Sequence, residues 1–297
     1  MKRRFATLFA AAALAAPAWA QQPEPDQPQI VVEGRRDQDK QIRELLKALP
    51  PVPINGHFAR FERAACPAVI GVSAQSKPAL VARMRLVAKA AGAPVGKPDC
   101  AANVLVIVTP DKVRLLEQLE RRFPDYLGDI SHWGVNRLKK TPGRTLLWNV
   151  QESLTAEGRP PNDSSPDGVP VNRTFEHASR LTDMAHPALT GSVLVIETKA
   201  LVGLTAVQIA DYAVMRTLTG IDPARVPQDS PQSILKVLDA PMGGETPITV
   251  TRWDVAFLRS FYSANTSLYA PAQRGEITAA MLKDLQRNGD PATGKQD

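Results

Sequence analysis

The side chains of this chain that could do chemistry are few and widely spaced. Four histidines (His57, His132, His177, His186) stand apart, and no two share the i, i+4 spacing that points both imidazoles at one metal. His177 and His186, with Asp183 between them, come nearest to a metal pair, yet solvated histidines are commoner than ligands. Ser233-Ile234-Leu235-Lys236 has the Ser-x-x-Lys spacing in which a lysine amine can activate a serine. Neither Lys-Thr-Gly nor Ser-Asp-Asn accompanies it, and no Gly-x-Ser-x-Gly elbow, phosphate loop or dinucleotide fingerprint occurs. The motifs name no reaction and call for no cofactor or metal.

The two cysteines say more about architecture. Cys66 precedes the apolar run Val69 to Val72, and Cys100 precedes Val104 to Val108. Between them Ser76 can cap a helix with Pro78 in its first turn, a buried face at Leu80, Met84, Val87 and Ala91, and a stop at Gly92. Strand, helix, strand is a βαβ unit, whose two strands run parallel with their starts side by side. Both cysteines then lie at one end of the sheet within bridging reach. A structural disulfide is expected, because metal or redox cysteines need closer spacing or further ligands.

The best-defined unit runs from Ser192 to Pro223. Val193 to Ile196 is a short β-branched run of the kind buried in a sheet. After Gly203, Thr205 and Gln208 form a capping box, apolar residues recur at Val207, Ala210, Val214 and Leu218, and Gly220 ends the helix. Gln208, Asp211, Met215 and Arg216 fall on or near its polar face, beside Tyr212. They could line a pocket. The plainer reading, and the expected one, leaves Asp211 and Arg216 solvated and puts Tyr212 in the core.

Elsewhere the spacing predicts helices over Asp39–Leu49, after a cap at Thr109, within Phe123–Gly143, over Ser230–Val237, over Thr251–Asn265 and over Gly275–Arg287. The helix after Thr109 should bury Val113, Leu116, Leu119 and Phe123, and the one after Thr251 should bury Val255, Leu258 and Tyr262. Leu146 to Trp148 reads as a strand, and Ala178 to Leu181 as an antiparallel neighbour of the central strand. Residues 155–173, rich in Pro, Gly, Ser and Asp, read as a long flexible loop.

The start of the chain reads as an export signal. Lys2, Arg3 and Arg4 precede an alanine-rich run, and Ala18-Trp19-Ala20 fits a small-x-small cleavage site. Cleavage after Ala20 implies a periplasmic or secreted protein. Losing those three cations from 36 leaves 33 against 30 acidic residues, dispersed rather than in a stripe, which argues against nucleic-acid binding. Residues 21–39 read as a disordered leader and 289–297 as a disordered tail. No later segment is apolar enough to span a membrane. Within the leader, Ile30, Val31 and Val32 resemble the hydrophobic box of TonB-dependent outer-membrane receptors, which implies a weak envelope-protein contact by β-augmentation. The bland alternative is a local edge strand.

Several stretches resemble a family of uncharacterised exported proteins of Gram-negative bacteria. They include Cys66-Pro67-Ala68-Val69-Ile70-Gly71, Cys100 to Val104, Ala178 to Leu181, Gln208 to Arg216 and Trp253 to Leu258. The family implies no activity. More remotely, the element order is similar to a zincin-like domain of putative metallopeptidases. That resemblance places the first histidine of its His-Glu-x-x-His motif near Asp211, the glutamate near Tyr212 and the second histidine near Met215. All three are replaced here, so it implies a zincin-like scaffold whose metal site is missing. Gln208, Asp211, Tyr212 and Met215 are then candidates for a degenerate site.

The expected fold is one α+β domain over residues 40–288, with an N-terminal βαβ unit, a small mixed sheet and a helical C-terminal third. A non-catalytic binding or structural role in the envelope is favoured. The alternative is a hydrolase, a degenerate zincin-like metallopeptidase or similar, whose site the motifs do not show.

Overall fold

The computed structural model describes residues 35–287 apart from positions 129, 162–170, 172, 176, 181, 229 and 241–243. The expected signal, the Ile30–Val32 box, the tail and most of the 155–173 loop lie outside the described residues. Helix α1 (Arg35–Leu46) begins four residues before Asp39, within the expected leader. It buries Ile42, Leu45 and Leu46 and packs against the last helix. The polar turn over residues 35–38 thus joins the helix, further back than the apolar residues alone suggest.

Apolar runs after each cysteine become strands β1 (Pro67–Ile70) and β2 (Val104–Thr109), joined through α2 (Ser76–Ala90). The strands are parallel, with Pro67 beside Val104, so the cysteines just before them meet. Cys66 and Cys100 form a disulfide with their Cα atoms 6.0 Å apart. Asn103 reinforces this end: its Oδ1 accepts from Cys66 N at 2.7 Å, and its Nδ2 donates to Ala64 O at 3.0 Å. Ser76 is the first helical residue of α2 rather than its cap. The oxygen that receives its backbone N–H belongs to Ser73, one turn earlier.

Helix α3 (Lys112–Arg122) is capped by Asp111, whose carboxylate accepts from Val113 N and Arg114 N, and not by Thr109. A carboxylate at the N-cap position reaches two orphan donors where the Thr109 hydroxyl, two residues earlier, reaches neither. Leu116 and Leu119 are buried as expected, whereas Phe123 is out in solvent. A short 3₁₀ turn over Pro124–Leu127 leads to α4 (His132–Lys139).

Strand β3 (Thr145–Thr155) contains the expected Leu146–Trp148 and runs on for seven more residues. It pairs antiparallel with β4 (Ala185–Glu197), which contains Val193–Ile196. Ala178–Leu181 is therefore not the antiparallel neighbour of the central strand. Ala178, Ser179 and Arg180 are exposed, and Ser179 and Thr182 close a polar turn on each other. The sheet order is β1-β2-β4-β3, with the first three strands parallel.

Alternation along the strands feeds two cores. Leu105, Ile107, Val193 and Val195 face α3 and α4. Val104, Val106, Leu194 and Ile196 face the larger core built by α1, α2, α5 (Ala206–Thr219), α6 (Arg252–Ser263) and α7 (Ala270–Arg287). Capping boxes start α5 at Thr205 with Gln208 and α6 at Thr251 with Asp254. Gly220 ends α5 in the left-handed conformation, φ 69°. Within α6, Leu258 and Tyr262 are buried, while Val255 lies between Trp253 and Ala256 only half covered. The expected helix over Ser230–Val237 shrinks to one 3₁₀ turn, Ile234–Lys236. The described residues from Arg35 to Arg287 form one compact unit of α+β class, mixed-sheet and helical at its C-terminal end.

Candidate functional site

The solvated face expected of helix α5 is missing. Eleven of its 14 residues are buried, because it lies between α2, β4, α6 and the Ile234–Lys236 turn. Val207, one of the apolar positions in its spacing, is instead 39% exposed near the helix start. Asp211 is 0% exposed, and its carboxylate is fully occupied. Arg83 of α2 donates Nε to Oδ1 at 2.6 Å and Nη2 to Oδ2 at 2.9 Å. Thr249 Oγ1 and Val250 N add donors at 2.7 and 2.9 Å. A bidentate arginine with two further donors satisfies a buried carboxylate. Its contribution is to fasten the stretch before α6 to α2 and α5.

The other candidates divide. Gln208 closes its capping box and reaches Pro247 O at 2.9 Å, so it shares the 246–250 stretch with Asp211. Met215 is buried core. Tyr212 is buried, with its hydroxyl 3.5 Å from Thr145 Oγ1, and burial raises its pKa against the opposing pull of Arg216. The four residues do not converge on one point. Gln208 and Asp211 serve one side of α5, and Tyr212 opens on another.

Ser233 does not present a nucleophile. Its single proton goes to Asp254 Oδ1 at 2.5 Å, and its oxygen accepts from Leu235 N. Lys236 Nζ donates to Gln228 O and Ser230 O. Asp254, buried, also accepts from Ile234 N and from both donors of Thr251; desolvation by burial raises its pKa despite them. The Ser-x-x-Lys tetrad is thus part of a helix-start clasp.

The histidines likewise separate. His177 and His132 are exposed, and His132 binds Glu120 at 2.6 Å. His186 is buried on β4, with Nε2 2.8 Å from Glu62 Oε1. Asp183 sits 3.9 Å from His57 Nε2 rather than beside His186. Among the described residues no three His, Cys, Asp or Glu side chains gather as a metal site. The stretch after β3 is tied back by Glu157, which accepts from Thr174 Oγ1 at 2.6 Å and Phe175 N at 2.9 Å. Those two donors hold its carboxyl well below the usual range.

A cavity of about 320 Å³ opens where the C-terminal end of α5 meets the start of β3. Leu138, Pro142 and Leu147 supply apolar wall, and Tyr212, Thr145 and Arg216 supply polar atoms. Arg216 is 6% exposed. Its Nη1 donates to Ile221 O, its carboxylate neighbour Asp222 stands 3.9 Å away and half in solvent, and its Nε finds no acceptor among the described residues. A second cavity, about 780 Å³, shares Arg144, Leu238 and Asp239 with the first. The spacing of α5 marks Arg216 as a polar position but gives no signal that it is buried beside a cavity. No protein-family model matches the chain, and no curated protein or solved structure matches it either.

Proposed function

We propose that this is an exported, non-catalytic binding protein that holds a small carboxylate-bearing ligand in the cavity at the C-terminal end of α5. The reading rests on Arg216. A nine-tenths buried guanidinium with an unmatched donor is unfavourable unless an acceptor arrives, and a carboxylate supplies two oxygens to such a fork. The apolar wall would take the rest of the ligand. Export is supported by the basic n-region, the alanine-rich run and the Ala18-Trp19-Ala20 site, and predicts a mature chain beginning at Gln21. If the zincin resemblance reflects kinship, Asp211 has become a structural fastener at the position of the first metal ligand.

Thermal unfolding of the mature protein with acetate, succinate, benzoate or glutamate tests the reading. At least one should raise Tm by roughly 5–10 °C at about 100 times its Kd. The matching amide should not, and Tyr212→Phe, which keeps the packing, should weaken the shift. Equal shifts with acid and amide, or none with any acid, would sink the proposal. Stoichiometric zinc after native purification, with chelator-sensitive hydrolysis, would favour the hydrolase instead.

A further inference from the structure

The layer formed by α3, the Pro124–Leu127 turn and α4 covers one face of the sheet and exposes three aromatic rings on its outer side. Phe123, Tyr126 and Trp133 are 55%, 51% and 84% exposed. Phe123 and Tyr126 meet edge to face, with ring centroids 6.3 Å apart. Glu120 of α3 accepts from His132 and Lys139 of α4 at 2.6 and 2.8 Å, which holds the end of α3 beside α4. The three rings fall between Phe123 and Trp133, where the chain turns from the end of α3 into the start of α4.

Cations are interleaved with these rings. Trp133, Arg137 and Lys140 follow at i, i+4 and i+7, all exposed, so one face of α4 carries a ring and then two positive charges. Arg121 and Arg122, exposed, stand directly before Phe123. In residues 112–144 eight lysines and arginines stand against the four acids Glu117, Glu120, Asp125 and Asp129, and all of those cations but Lys112, which is buried against Thr141 O and Gly143 O, lie at least partly at the surface. Of those acids, Glu120 is paired with His132 and Lys139, and Glu117 stands 3.9 Å from Arg121.

We infer that this face is a peripheral docking surface for a bilayer containing anionic lipid. Amphipathic rings favour the boundary between headgroups and acyl chains, and flanking cations are drawn to an anionic surface. A protein partner would call instead for an apolar centre depleted of charge, and here exposed cations flank the rings on both sides in the chain. The contact is superficial, since no helix among the described residues is long and apolar enough to cross a membrane.

Co-sedimentation of the mature protein with vesicles tests this. Vesicles of phosphatidylethanolamine with phosphatidylglycerol should carry the protein down at low salt, and vesicles of phosphatidylcholine alone should not. Trp148 and Trp253 are buried, so a blue shift of tryptophan emission on binding reports Trp133. Arg137→Gln should lower partitioning about fivefold, and Arg121→Gln with Arg137→Gln more than tenfold. Trp133→Ala should abolish the blue shift while leaving Tm unchanged. Equal binding to both vesicle types, no binding to either, or binding indifferent to Trp133→Ala and to both arginine changes would overturn the inference. So would self-association without vesicles that Trp133→Ala removes, because a second copy would then cover the face.

Discussion

At the scale of single residues, the informative positions are polar groups the fold has buried and satisfied. Asp211 accepts four hydrogen bonds, two of them from Arg83. Replacing it with Asn keeps the shape, removes the charge that pairs with Arg83, and puts an amide N–H₂ where one oxygen accepted donors. The expected loss is about 3 kcal/mol, read as a fall in Tm of roughly 6–12 °C for a domain of this size. Arg83→Met should cost a similar amount, and the two changes together should cost well under their sum, because they remove one interaction. A Tm unchanged by Asp211→Asn would mean that the network contributes nothing. Arg216 differs because its partners are incomplete, which is why the binding proposal rests there and not on Asp211.

At the scale of elements, the geometry at strand ends limits substitution more than helix propensity does. Gly71 follows β1 with φ +82°, and a Cβ built on it would stand 1.9 Å from Val108 O of the neighbouring strand. Two penalties combine, a left-handed backbone and a steric overlap with main chain that cannot rotate away. Gly71→Ala should therefore destabilise by at least about 1–3 kcal/mol, measured as a lower urea midpoint with an unchanged slope. Gly203→Ala is a control, since it has a similar φ of +83° but a Cβ there would meet nothing within 4 Å. If both changes lose the same stability, the contact with Val108 is immaterial and only the backbone conformation matters.

At the scale of the whole molecule, the disulfide ties the βαβ start of the sheet to itself at one edge. Cys66 and Cys100 close a loop across a sequence separation of 34. Gly96 packs against both sulfurs, with no room for a side chain there. Cross-linking a loop of that length restricts the unfolded chain by about 3–4 kcal/mol. Reduction, or Cys66→Ala with Cys100→Ala, should lower Tm by roughly 6–16 °C while leaving the β1–β2 register in place. Intact mass of the native protein should show no free thiol, and alkylation should follow only after reduction. Alkylation without reductant would contradict the bridged state.

Local chemistry in the sequence was enough for whatever is decided within a few residues. Thr205 with Gln208, Gly220, and Thr251 with a carboxylate three residues on specify the ends of their helices, because each satisfies backbone groups a few residues away, and the β-branched runs at Val104 and Val193 favour an extended backbone through crowding at Cβ. The cysteine pairing was legible because a βαβ connection joins parallel strands, whose starts lie at the same end of the sheet. Burial of α5 from Ala210 to Thr219 was decided only in three dimensions. Arg83 lies 128 residues from Asp211, and Glu62 lies 124 from His186, so no window on the sequence shows that either charge has a partner. A polar residue on a helix reads as solvated until a distant cation is folded against it. The same holds for Ser233, whose proton goes to Asp254 21 residues away, and for the cavity beside Arg216, whose walls come from α4, β3 and the end of α5. Helix ends follow from short-range backbone satisfaction, whereas the fate of a charge depends on which surfaces are packed together.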